Sequence, residues 1–141
     1  MRRSLLLAST LTLALAASSA AAAYEPGTLA LNRPVTERLT ANDAPASNGG
    51  VSRDYRVALT AGSFVIVSVK SEDFDTTVEL FGPNRSSQGS NDDGPNGGTD
   101  SLLVAEVSET GNYIVRVGSF SGGGDAGLGQ FTIRVLQFEN P

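Results

Sequence analysis

The 141-residue sequence has no cysteine, no histidine and no tryptophan. Without cysteine or histidine there is no Ser-His-Asp triad, no Cys-His nucleophile, and no thiolate or imidazole zinc site. Disulfides are excluded as well, so stability must rest on core burial or bound ions. Positive charge is scarce: 10 Lys and Arg stand against 15 Asp and Glu, for a net charge of −5. A nucleic-acid backbone needs clustered Lys and Arg, so nucleic acid is excluded as a partner. Lysine occurs once, as Lys70, so a Ser-Lys dyad has a single possible base and no surrounding motif. Carboxylate pairs are present, Asp73 with Asp75 and Asp92 with Asp93. Glycoside chemistry needs such carboxyls about 5–9.5 Å apart across a substrate cleft. A sugar platform is typically aromatic, and the aromatic residues here are Phe and Tyr, mostly at strand positions. The chain is therefore read as not an enzyme, with no catalytic residue.

Long apolar runs are also missing, except at the start. Arg2-Arg3 precedes the apolar stretch Leu5–Ala17, and small residues follow up to Ala23. This is the three-part layout of a secretory signal peptide, with Ala21 and Ala23 as the small residues before cleavage at Tyr24. A membrane anchor would need ~20 mostly apolar residues, whereas this run is shorter and diluted by Ser and Thr. Removing residues 1–23 takes away two arginines and no acid, which makes the remaining chain more acidic. The expected organisation is a signal peptide over 1–23, a lead segment over 24–34 and one domain over 35–141, secreted or periplasmic, with no membrane span in the mature chain.

Beyond Tyr24 the apolar pattern has period two, not 3.6. Tyr55, Val57 and Leu59 alternate with polar neighbours, as do Val78 and Leu80, Tyr113, Val115 and Val117, and Phe131, Ile133 and Val135. In Phe64–Lys70, Val65, Val67 and Val69 share one face while Phe64 and Ile66 make the other apolar at one end, which suits a central strand. Ser101–Val107 reads as another strand, and Val35–Leu39 as a less pronounced one. Gly62 and Gly111 mark tight reversals, and longer loops are expected over Thr40–Gly50, Gly82–Asp100 and Ser119–Gly129. Short strands at this spacing, without a convincing helix, predict an all-β, jelly-roll-like antiparallel β-sandwich following the cleaved signal peptide.

The order of Asp54-Tyr55-Arg56-Val57, Ala61-Gly62, Phe74-Asp75-Thr76, Asn91-Asp92-Asp93, Asp100-Ser101, Thr110–Val117 and Gly129–Ile133 resembles the bacterial pre-peptidase C-terminal domain. The likeness spans roughly residues 35–138. The resemblance implies a jelly-roll sandwich of the kind found in exported proteins, similar to the collagen-binding domains of collagenases, some of which bind calcium. Here the leader is expected to run almost directly into the module, so processing of an attached peptidase has nothing to act on. Collagen binding is not carried over, because surface tyrosines do that work in collagenase modules and Tyr55 and Tyr113 fall on predicted inner faces.

The acids Asp73, Asp75, Asp92, Asp93 and Asp100 are the candidate calcium ligands, since Ca²⁺ takes 6–8 hard oxygen ligands. Asn91–Gly97 is not an EF-hand loop: aligning Gly97 with its sixth position leaves the third ligand missing and no Glu at the twelfth. The same acids also suit turn chemistry, with Asp75 before Thr76 and Asp100 before Ser101 bonding nearby backbone N–H groups. The functional expectation is a secreted non-catalytic binding or accessory module for a protein partner such as an exported peptidase. The alternative is a calcium-stabilised adhesion-type module binding an extracellular polymer.

Overall fold

The computed structural model describes residues 25–140; the leader and its cleavage point lie outside the described residues. Ten strands follow one another: β1 (Gly27–Thr28), β2 (Val35–Leu39), β3 (Ala44–Pro45), β4 (Val51–Leu59), β5 (Ser63–Lys70), β6 (Thr76–Phe81), β7 (Ser87–Asn91), β8 (Ser101–Val107), β9 (Gly111–Ser119) and β10 (Gly129–Glu139). The one helical element among the described residues is a 3-10 turn at Asp125–Gly127. One sheet of six strands runs β1-β4-β9-β6-β7, with β3 also on β4; the other, of four strands, runs β2-β10-β5-β8. All pairings are antiparallel except β1 on β4, which is parallel. The predicted all-β sandwich is the observed fold.

The period-two pattern explains the packing. A strand places alternate side chains on opposite faces, so Val57 and Leu59 of β4, Val78 and Leu80 of β6, and Tyr113, Val115 and Val117 of β9 face inward from one sheet. Val65, Val67 and Val69 of β5, Leu103 and Val107 of β8, and Phe131, Ile133 and Val135 of β10 meet them from the other. An edge-to-face aromatic series joins the layers: Phe131 lies 6.4 Å from Tyr55 and 6.3 Å from Phe74, ring centre to ring centre. At the β8–β9 corner the Tyr113 hydroxyl donates to the Glu109 carbonyl at 2.8 Å, a tyrosine-to-upstream-backbone bond of the kind that fixes corners in other sandwiches.

Three features differ from the pattern read in the sequence. The expected loops Thr40–Gly50 and Gly82–Asp100 contain β3 and β7. Strand β7, Ser-Gln-Gly-Ser-Asn, carries no apolar residue and is held by its ladder to β6, so hydropathy could not reveal it. The segment before Val35 also joins the sandwich, because the Leu29 N–H donates to the Arg56 carbonyl at 2.8 Å and the Leu29 side chain is buried in the core.

The two open sides of the sandwich are closed differently. On one, β2 and β4 are tied by Arg53, whose Nη1 meets Glu37 Oε2 at 3.2 Å and whose Nε meets Asp43 Oδ1 at 2.6 Å. On the other, β7 and β8 are the terminal strands of their sheets. There the Asn91 amide donates to the Leu102 carbonyl at 2.7 Å, and the Leu102 N–H donates to the Asp93 carbonyl at 3.0 Å.

Candidate functional site

The five acids singled out in the sequence fall into two groups. Phe74, buried between Asp73 and Asp75, is the pivot that separates them. Asp73 turns toward β10: its Oδ2 accepts from the Gln130 N–H at 2.7 Å and lies 4.0 Å from Arg38 Nη1. This approach requires glycine at 129, since a Cβ there would stand 2.2 Å from Asp73 Cβ, and the backbone takes φ 152°. Asp100 faces the same shallow cleft of about 560 Å³, also lined by Lys70, Glu72 and Gln130, and its Oδ1 accepts from the Ser71 N–H at 3.1 Å. Both carboxylates thus satisfy backbone donors, from chain segments far away in sequence rather than from their own turns.

Asp75, Asp92 and Asp93 form the second group. Burial raises the pKa of the Asp75 carboxyl above the ordinary aspartate value, and the charges of Asp92 and Asp93 raise it further. Asp75 Oδ1 is enclosed without a hydrogen-bond partner. The turn chemistry in this loop is done by Asn91, whose Oδ1 accepts from the N–H groups of Asp92 at 2.9 Å and Asp93 at 3.2 Å. Among the described residues, no three His, Cys, Asp or Glu side chains are placed to hold one metal ion.

The outer faces of the two sheets differ in kind. On the six-stranded sheet, Arg116 of β9 reaches Asp54 of β4 through two bonds of 2.7 and 2.9 Å and lies 5.0 Å above the Phe81 ring. A cleft of about 450 Å³ beside it is lined by polar groups including Asn48, Thr77, Glu79 and Asp92. The four-stranded sheet instead carries apolar rows. Leu136, Ile66 and Val104 stand side by side across β10, β5 and β8, and Phe138 and Phe64 are paired in the next row, where Glu106 completes it. Phe138 is 50% exposed and Val104 57%. Leu102 extends the patch toward the start of β8. Its signal in the sequence is the apolar residues on both faces of β5; what sequence reasoning missed is their continuation through Leu136, Phe138 and Val104.

Six successive strands, from the first residue of β4 to the last of β9, are the stretch that a family comparison recognises. Residues 51–119 match the bacterial pre-peptidase C-terminal domain family. The resemblance read from the sequence is upheld, though the match is narrower than 35–138 and leaves β2 and β10 outside it. The fold is shared with a solved pre-peptidase C-terminal domain, that of a collagenase from Bacillus anthracis. That structure is 16% identical, with a TM-score of 0.58, and the alignment covers 79% of this chain and 94% of the collagenase domain. It is shared equally with PliG of Aeromonas hydrophila, a periplasmic inhibitor of g-type lysozyme. PliG is 12% identical, with a TM-score of 0.60, and 80% of this chain and 96% of PliG are covered. No curated protein matches by sequence. Among the described residues no helix is long and apolar enough to cross a membrane.

Proposed function

We propose that the chain is an exported, non-catalytic binding module whose partner is a protein, such as an exported peptidase. The observation that carries this reading is the apolar outer face of the four-stranded sheet. Folded chains seldom leave large contiguous apolar patches on a surface, and those that exist mark interaction sites. Here Ile66, Leu136, Val104, Phe64 and Phe138 occupy adjacent ladder positions on the face turned away from the core. The centre of a protein interface is depleted in charge and rich in apolar and aromatic side chains, and this face has that composition with Glu106 and Arg134 at its margins. The shared fold adds support, since PliG is by its name an inhibitor of an enzyme and so recognises a protein.

The test is capture from the medium of the producing cell on immobilised protein beginning at Tyr24, compared with the Leu136→Lys/Phe138→Lys variant. One dominant retained protein, lost in a variant with an unchanged melting curve, is the expected result. Equal retention by both refutes the reading. Mass spectrometry of the exported protein checks the compartment, with a first residue at Tyr24 expected and an intact Met1 start in a membrane fraction against it.

A second reading, a calcium-stabilised adhesion module for an extracellular polymer, has one observation in its favour. The enclosed Asp75 Oδ1 faces no donor, and Asp92 and Asp93 add negative charge beside it. Asp73 and Asp100, already bonded to backbone N–H groups, do not complete a ligand set with them. Calcium that binds only the folded state would raise stability by about 2.7 kcal/mol at a hundredfold excess over its dissociation constant. A calcium-dependent rise in Tm that Asp92→Asn/Asp93→Asn abolishes would favour this reading; superimposable melts in calcium and chelator would remove it.

A further inference from the structure

Sheet edges are normally protected against pairing with another chain by charge, proline, bulges, brevity or cover. Three of the edges in this sandwich carry such protection. Strand β4 is covered by β1 and β3. Strand β2 presents Thr36, Glu37 and Arg38 and is tied through Glu37 to Arg53. Strand β7 is polar, contains Gly89, and breaks register against β6 between Leu80 and Phe81.

Strand β8 is different. Its sequence, Ser-Leu-Leu-Val-Ala-Glu-Val, has no proline, glycine or lysine, and its ladder to β5 runs in unbroken register from Ser101 to Val107. Backbone groups alternate in direction along a strand. The Leu102 N–H and carbonyl point away from β5, to Asp93 and to the Asn91 amide. The same groups of Val104 and Glu106 therefore point outward too, past the end of that cover, and both residues are exposed. This edge, open beyond Leu102 and carrying Glu106 as its single charge, is continuous with the apolar face, because Val104 belongs to both.

Building on the protein-binding reading, we infer that β8 accepts an extended segment of the partner as an added antiparallel strand. The main-chain groups of Val104 and Glu106 would pair with it, and its outward side chains would continue the apolar face. In this mode main-chain bonds give affinity and alternate side chains give specificity. The composition of the segment follows from what it must lie beside. A residue opposite Val104 extends the row of Leu136, Ile66 and Val104 and is apolar; one opposite Glu106 meets a carboxylate at the margin and is basic. The net charge of −5 favours a basic partner segment and opposes pairing of two copies of this chain.

The probe is a synthetic acetylated peptide, Thr-Thr-Lys-Thr-Val-Thr-amide, whose lysine falls opposite Glu106 and whose valine falls opposite Val104 in antiparallel register, stopping short of the Leu102 groups that Asp93 and Asn91 already hold. Proline is tolerated on an edge strand where the lost N–H faces outward. Val104→Pro should therefore fold with an essentially unchanged Tm yet weaken peptide binding about tenfold or more, as loss of a main-chain bond and its register requires. Glu106→Gln should weaken the lysine peptide and spare one with threonine in its place. N-methylation of the peptide at the valine should abolish binding, and Val104→Thr, which keeps the backbone donor, should retain most of it. Equal binding to wild type and Val104→Pro overturns strand addition, as does no binding to wild type or concentration-dependent dimerisation that Val104→Pro removes. If the captured protein is still lost with Leu136→Lys/Phe138→Lys while the peptide fails, strand addition falls and the protein-binding reading stands.

Discussion

Asp43 offers a quantitative test of what holds the β2–β4 side together. Its carboxylate accepts from Arg53 Nε at 2.6 Å and Nη2 at 2.8 Å, and from the Thr40 N–H at 2.7 Å and hydroxyl at 3.1 Å. Its side chain is only 5% exposed, against 23% for Arg53. Replacing it with alanine removes all four bonds and leaves a largely buried guanidinium with Glu37 as its remaining carboxylate, at 3.2 Å. Removing one member of a buried pair costs about 3–5 kcal/mol. The partial exposure of Arg53 and its bond to Glu37 reduce this, so Asp43→Ala should lose about 3 kcal/mol. Against the ~5–15 kcal/mol of a typical domain, that lowers Tm by on the order of 10 °C.

The assay is urea denaturation of wild type, Asp43→Ala, Arg53→Met and the double variant. Because taking the two charges out together leaves no buried charge uncompensated, the double variant should be more stable than Asp43→Ala alone. The pH dependence has a definite sign. Burial pushes the Asp43 carboxyl up, but the Arg53 and Thr40 bonds and the Arg53 charge pull it further down, for a net value below the ordinary one. The stabilisation is therefore full above the unfolded aspartate pKa and is lost as pH falls through the folded one. The gap between wild type and Asp43→Ala should narrow on that acid side. A loss below about 1 kcal/mol, the level of an exposed pair, or a double variant as unstable as the sum of the singles, would refute the reasoning.

Asp75→Asn should raise Tm at neutral pH, because a carboxyl whose folded pKa is raised destabilises the fold once ionised. That gain should vanish below the ordinary aspartate range, where the acid is protonated in both states; a gain independent of pH would count against it. Val67→Asp should leave the chain unfolded, since Val67 has no exposure and an unpaired carboxylate there costs several kcal/mol; a native-like near-ultraviolet spectrum would contradict the packing. Gly129→Ala should cost about 2 kcal/mol or more by calorimetry, from the collision with Asp73 and the unfavourable φ.

Where one residue's neighbours along the chain decide its fate, the structure could be read in the sequence. Alternation placed Val65, Val67 and Val69 inside, and likewise Tyr113, Val115 and Val117. Where pairing across the fold decides, it could not. Strand β7 is polar and exists through its ladder to β6. Asp43 and Arg53 meet because the antiparallel β3–β4 ladder, with Ala44 opposite Ser52, sets them one step beyond it, and nothing in their spacing announces a pair. Asp73 and Asp75 look like partners in sequence, yet the burial of Phe74 sends one toward β10 and the other toward the loop after β7.

The apolar face illustrates the same division at the level of function. Phe64, Ile66, Leu102 and Val104 lie within the residues matched by the family, whereas Leu136 and Phe138 lie on β10, beyond it. Strand β10 closes the core with Phe131, Ile133 and Val135 on one side and widens the outer patch with Leu136 and Phe138 on the other. An outward leucine or phenylalanine there adds nothing to the inner packing, so the fold alone does not require it. The fold requires only the inward set, and PliG and the collagenase domain show that sandwiches of this shape tolerate very different sequences. On the binding role proposed above, specificity would therefore reside in the outward residues, with Leu136 and Phe138 setting how far the patch extends and Val104 and Glu106 setting what the open edge can pair with.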